Sequence, residues 1–278
     1  ADLGGIPPPA VDGTYNAAGL AVVITPGRGA PAVAPELEMG RCQFAIAGAD
    51  DVVIYRRQES DIVAVLAAMQ DHPRCVLVRE ESGVTDLNQL GGLTLQRDPS
   101  RSFVRFMEMK GLLTDVKGVP YNGITGLVND PQVAIQAYVS AEPLQAQQEG
   151  VQVRSLMLSD IGWNPYSSVL VTTGKLIREQ PELVRQVVQA TRTGWQRYLA
   201  DPTAANEAIL ADNTAGMTLE ALEFGAKRMR PLAMPDGSTD EVGGMTLERW
   251  TELVDQMNAL DPDALKVDPK HCFTTEFL

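Results

Sequence analysis

Asp98-Pro99-Ser100-Arg101-Ser102 is the stretch of this chain whose residue types and spacing are best suited to holding a ligand. It follows a short predicted strand and opens a predicted helix, so backbone N–H groups without helical partners gather there beside two hydroxyls and a guanidinium. Such a turn can hold a carboxylate, a phosphate or a carbonyl oxygen. Ordinary capping by the Ser100 hydroxyl accounts for the same residues equally well. Trp163-Asn164-Pro165-Tyr166 sets two aromatic rings beside a second turn, where they could stack on a planar ligand or seal the packing. Asp50-Asp51 stands at a predicted helix start, where adjacent carboxylates read first as caps and dipole partners.

No catalytic constellation emerges. The chain has no G-x-S-x-G elbow, no P-loop, no G-x-G-x-x-G and no H-E-x-x-H. Its two histidines, His72 and His271, are far apart and offer little general-base chemistry. Cys42, Cys75 and Cys272 form no C-x-x-C pair, and with two histidines they give no zinc ligand set. Cys42 and Cys75 lie in apolar runs, so buried inert thiols are expected in preference to a disulfide between them. Neither metal nor cofactor is expected.

The 278 residues suffice for one large domain or two smaller ones, with 44% hydrophobic and 21% charged residues. The formal net charge of −13 leaves no basic stripe for nucleic acid and disfavours an anionic membrane surface. A local arginine or helix N-terminus can still hold an anion on an acidic protein. No run of about 18 apolar residues is present to span a membrane.

The elements that must position these residues alternate between β and α, which predicts an α/β architecture with mostly parallel sheets. Strands are expected at 21–25 (AVVIT), 43–47, 62–69, 75–79, 93–96, 151–158 and 168–172. Helices are expected at 32–39, at 50–57 with Asp50 as N-cap, at 103–110, 124–128 and 133–139, and over the C-terminal third. Within that third, Val184, Val187, Val188, Thr191, Trp195 and Tyr198 recur along one face of a long helix beginning at Pro181. One β/α block comes first, a second runs from about residue 86 to 166, and helices end the chain. This order predicts lobe 1 at 1–88 and 168–278, and an inserted lobe 2 at 89–167.

Several segments in this order resemble the periplasmic-binding-protein family that includes receptors for thiamine pyrimidine precursors, riboflavin, sulfonates, taurine and nitrate. They are Asp2-Leu3-Gly4-Gly5-Ile6, Gly19-Leu20-Ala21-Val22, Ala49-Asp50-Asp51, the QAYVSAEP run at 136–143, and the PELV…GW…DP helix at 181–202. Gly244-Met245-Thr246 with Trp250, and the tail FTTEFL at 273–278, complete the series. Three departures stand out. Members of the family carry a strand before the opening loop, so residues upstream of Ala1 are expected. Ile6 replaces a common aromatic, and Pro7-Pro8-Pro9 should delay or distort the first helix.

The resemblance implies a type II periplasmic-binding-protein fold, with two α/β lobes, two chain crossings and a ligand cleft between the lobes. It implies a monomeric extracytoplasmic receptor that delivers a small molecule to an ABC permease and catalyses nothing. Export, or a lipid anchor, would be encoded in the residues upstream of Ala1. Gly5, Asp50, Ser100, Arg101, Ser102, Glu142, Trp163 and Tyr166 are the expected ligand contacts. Asp50 and Glu142 would accept from ring N–H or amino groups, the Ser100–Ser102 turn would donate to an oxygen, and an aromatic would stack. That mixture suits a small polar heterocycle. A receptor for a small organic anion, or a biosynthetic enzyme on the same scaffold, is the alternative reading, and Glu142 also fits a purely structural capping role.

Overall fold

The computed structural model describes residues 13–27, 29–211 and 216–278. The Gly5 loop and the triple proline lie outside the described residues. The chain divides into two compact units: residues 1–71 with 165–278, and residues 72–164. The sequence placed the crossings at 88 and 167. The first thus falls at the turn after residue 71, before the strand at 74–79.

In the first unit, β1 (Ala45–Ala47) and β2 (Ile62–Met69) both pair antiparallel with β8 (Ser167–Thr173), giving the order β1-β8-β2. In the second, β4 (Thr94–Arg97) pairs parallel with β5 (Lys117–Pro120) and β6 (Val133–Tyr138). There β3 (Arg74–Arg79) runs antiparallel to both β6 and β7 (Val153–Met157). The order is β5-β4-β6-β3-β7. The expectation of mostly parallel sheets therefore needs correction. β1 and β2 share a direction, but the strand between them is the one on which the chain re-enters the unit, and it runs the other way. β3, the entering strand of the second unit, does the same.

The first unit carries α1 (Thr14–Ala17), α2 (Ala30–Glu38) and α3 (Ala49–Arg57) before the crossing. After it come α7 (Gly174–Glu179), α8 (Pro181–Ala200), α9 (Thr203–Ala211), α10 (Leu219–Ala233) and α11 (Leu247–Leu260). The second unit carries α4 (Ser102–Met109), α5 (Thr125–Asn129) and α6 (Glu142–Gln148).

β2 is buried at all eight positions. Its outer edge is occupied by later chain: Ala64 N–H donates to Cys272 O (2.8 Å) and Thr274 N–H to Ala64 O (2.9 Å), while Ala67 and Gly243 exchange two further bonds. Against this sheet packs α8, whose predicted stripe of Val184, Val187, Val188, Thr191, Trp195 and Tyr198 is buried throughout. Trp195 and Tyr198 meet edge to face at 6.0 Å. α10 and α11 add Leu222, Met229, Trp250 and Leu253 to the interior. α10 runs through Pro231, which sits in its last turn.

Two expectations fail. Residues 21–25 form no strand, and Val23 is 88% exposed. β-branched residues fit a pleated surface only where a partner strand supplies one, and among the described residues none pairs here. Residues 133–138, read as helical, form β6, central in the second sheet. The preceding Asn129-Asp130-Pro131 ends one element and leaves a run too short for a helix but long enough for a buried strand.

Leu66 is fully buried in β2 and touches the space beside Gly243. Leu66→Ala is expected to destabilise the first unit by about 2–5 kcal/mol, read by urea unfolding, because the packed surroundings collapse poorly into the cavity.

Candidate functional site

The second unit brings the predicted turn to the carboxyl end of β4. Asp98 follows the strand, and its N–H donates to Gln136 Oε1 on β6 at 2.8 Å. The Asp98 carboxylate accepts from Ser100 N–H (3.0 Å) and Ser100 Oγ (2.7 Å). These bonds hold the Asp98 carboxyl below the usual carboxylate range, with Arg101 and Arg74 adding smaller attraction. Helix α4 begins immediately after, with Arg101 as its N-cap residue and no side-chain cap. Ser100 therefore closes the turn instead of capping the helix. Ser102 is buried in the first turn, and its hydroxyl has no partner among the described residues.

His72 and Arg74 join this turn and were not singled out by the sequence. His72 accepts from Arg74 N–H at Nδ1 (3.0 Å), which places its ring proton on Nε2, and its backbone N–H donates to Asn164 Oδ1 (2.7 Å). Burial, reinforced by the positive charges of Arg74 and Arg101, lowers its pKa to about 3. Arg74 is 7% exposed. Its guanidinium lies 3.8 Å from the centre of the Tyr138 ring and 5.1 Å from that of Phe103, and Nη2 donates to Tyr138 Oη. An arginine opening an otherwise apolar run, RCVLVR, was the available signal.

Glu142 begins α6 and is occupied locally. Its carboxylate accepts from Tyr138 N–H (2.8 Å) and from Tyr121 Oη (3.3 Å). Burial first, then the nearby Glu142 charge, pushes the Tyr121 phenol up to about 12. Trp163 is 1% exposed, with its ring 5.2 Å from that of Phe106 on α4. It supports the helix that carries the turn.

The first unit holds Asp50 and Tyr166. Helix α3 has Gly48 at its N-cap, whose N–H donates to the Asp51 carboxylate at 3.2 Å, so Asp50 lies in the first turn and not at the cap position expected of it. Asp50 is 7% exposed and makes no hydrogen bond to a described residue. A Cβ at position 48 would come within 2.6 Å of its Oδ1, which explains the glycine. Tyr166 is 2% exposed, its hydroxyl accepts from Thr246 N–H (3.0 Å), and the Arg249 guanidinium covers its ring at 4.0 Å. Both aromatics predicted to stack on ligand are thus enclosed by protein within their own units.

All three thiols are free. Burial pushes Cys75 and Cys272 up to about 12 and raises Cys42, so none is primed as a thiolate. Among the described residues no group of three or more His, Cys, Asp or Glu side chains is arranged to hold a metal.

The neutral His72 makes a pH prediction. Its folded-state pKa of about 3 lies below the ordinary 6.5, so the unfolded chain binds the extra proton and stability falls as pH drops below 6.5 toward 3. The loss should approach about 1.4 kcal/mol per pH unit within that window. His72→Asn keeps an acceptor near the Nδ1 position and removes the titration. On acidification below pH 6.5 the parent should lose stability relative to His72→Asn, and a pH-independent difference between the two would refute the assignment.

Known proteins share both the sequence pattern and the fold. The riboflavin-binding protein RibY of Chloroflexus aurantiacus is 24% identical over 257 residues, covering 84% of this chain and 70% of that one. The periplasmic aliphatic sulphonate binding protein SsuA of Escherichia coli superposes with a TM-score of 0.70 at 15% identity, over 95% of this chain and 87% of that one. The desulfurization enzyme DSZB superposes with a TM-score of 0.61 at 15% identity, over 98% of this chain and 95% of that one. The overall fold is therefore the periplasmic-binding-protein fold. The pattern described as NMT1/THI5 like matches residues 10–205, and the chain belongs to that family.

Proposed function

We propose that this protein is the extracytoplasmic solute-binding protein of an ABC importer, a receptor that captures a small molecule and passes it to a membrane permease. The observation that carries the reading is the turn between β4 and α4. It sets the N-terminal turn of a helix, the Ser102 hydroxyl and a buried arginine at the carboxyl end of a parallel strand, where α/β proteins bind ligands. The printed roles of RibY and SsuA support the receptor class. DSZB, a desulfurization enzyme, is evidence that the same fold can carry chemistry. The raised thiols of this chain weigh against a cysteine nucleophile here. The importer role entails export and a permease partner, and the reading is of a monomer. No helix among the described residues is long and apolar enough to cross a membrane.

Two ligand classes fit. The RibY relationship supports a small polar heterocycle, with Asp50 as an acceptor for its N–H or amino groups. The turn itself, and the enclosure of Trp163 and Tyr166, support a small organic anion such as a sulfonate. Thermal-shift titration with riboflavin, aminopyrimidines, taurine, methanesulfonate and nitrate separates them. A ligand at about 100 times its Kd should stabilise the protein by about 2.7 kcal/mol. A response to at least one organic solute is expected. Silence across the panel, with turnover of any of these compounds, would overturn the receptor reading.

A further inference from the structure

We infer that Arg74, together with the first turn of α4, forms a built-in anchor for a tetrahedral or carboxylate-type acid group. Arg74 is more than nine-tenths buried, and its Nε has no hydrogen-bond partner among the described residues. Among the described residues its guanidinium makes one hydrogen bond, from Nη2 to the Tyr138 hydroxyl. Among the described residues no carboxylate forms an ion pair with it: Glu142 is held by Tyr138 N–H and Tyr121, and Asp98, which feels the Arg74 charge only weakly, by Ser100. Arg79 and Arg57 also bury an Nε without a partner, but each has other protein partners. Arg79 has an ion pair with Glu81 and donates to Val128 O, and Arg57 donates to Asn258 on α11.

Burying a cation costs several kcal/mol unless it is paired, so a buried arginine without a counter-ion points to a partner that arrives from outside. The two aromatic faces offset part of that cost and fix the planar fork in one orientation. The fork lies against the first turn of α4, because Phe103, the second residue of that helix, supplies one of the faces. The N–H groups of Ser102 and Phe103 at the head of that helix and the positive end of the helix dipole add to the same field. His72 contributes a neutral Nε2–H donor beside it and no competing charge. Arginine suits a planar or three-oxygen acid because its donors are spaced to match two oxygens at once. The class inferred is therefore a sulfonate, phosphate or carboxylate group carried on the solute. The assignment rests on the receptor reading for the identity of that solute, but not for the anchor itself.

The test uses the whole protein and two simple probes, methanesulfonate and inorganic phosphate, followed by ¹H–¹⁵N spectra that report Arg74 Nε–H and the amides of Ser102 and Phe103. Saturable shifts at all three are expected with at least one probe. Arg74→Met, which keeps the stem and loses the charge, should weaken that binding by at least about tenfold, the equivalent of about 1.4 kcal/mol. Arg74→Lys should weaken it less. The unliganded R74M protein should melt no lower than the parent, which separates loss of binding from loss of fold. No saturable shift with either probe, or shifts that survive R74M unchanged, would overturn the anchor. A neutral solute that binds the parent and R74M equally well would overturn it too, while leaving the receptor reading standing. Failure of every organic solute with intact anion shifts would do the reverse.

Discussion

The first unit depends on the burial of β2. Eight consecutive apolar residues, Ile62–Met69, face protein on both sides of the sheet. Such a strand cannot be left at an open edge, where its N–H and C=O groups would either meet water beside an apolar surface or pair with another molecule. The chain meets the constraint twice over. β8 returns antiparallel along one edge, and Gly243 with the Cys272–Thr274 segment completes the other. Gly243 takes a positive φ of 95° there, with Leu66 and Leu278 packed close enough to crowd any Cβ. The C-terminal residues are thus part of the sheet, and Phe277 is fully buried beneath it.

This constraint explains which parts of the fold were legible. Where periodicity is long and one-sided, as on α8, each predicted core position is buried. Where a run is short, sequence cannot say whether a partner strand exists. AVVIT at 21–25 has the composition of a strand and none of its pairing, whereas residues 133–138 have a partner on each side and form one. Strand direction was equally illegible. The reversal of β3 and β8 follows from the point at which the chain enters each sheet, a property of topology and not of local pattern.

At the candidate site, the turn read from the sequence forms where expected, and several of its residues make local bonds that the sequence did not specify. Ser100, Arg101 and Ser102 stand together at the head of α4, but Ser100 serves Asp98 and Arg101 holds the cap position. Glu142 takes the structural role that was its alternative reading, because Tyr138 N–H lies within reach four residues upstream. Trp163 and Tyr166 admitted either stacking on a ligand or sealing the packing, and each ring has a packing partner within its own unit. His72 and Arg74 were missed because sequence shows a residue's type and not its neighbours. That Arg74 has no ion-pair partner among the described residues is a fact of three dimensions.

The two buried, unpartnered charges set the character of the molecule. Asp50 in one unit and Arg74 in the other each lack a hydrogen-bonded ion partner among the described residues, although the sequence offers 36 acidic and 23 basic residues from which partners could be drawn. Surface pairs such as Arg41 with Glu36 form readily in the same chain, so availability is not what is lacking. A protein that is stable by only about 5–15 kcal/mol gains nothing structural from leaving a guanidinium buried and half satisfied. On the reading proposed above, a ligand completes them, and charged donors and acceptors fixed before it arrives lose little entropy on binding. Chemistry on this scaffold would need in addition a nucleophile or base of matched pKa. The most buried thiols and the imidazole of His72 are instead shifted away from reactivity. The same burial that makes these groups inert as reagents keeps the neighbouring charge strong as a binding contact.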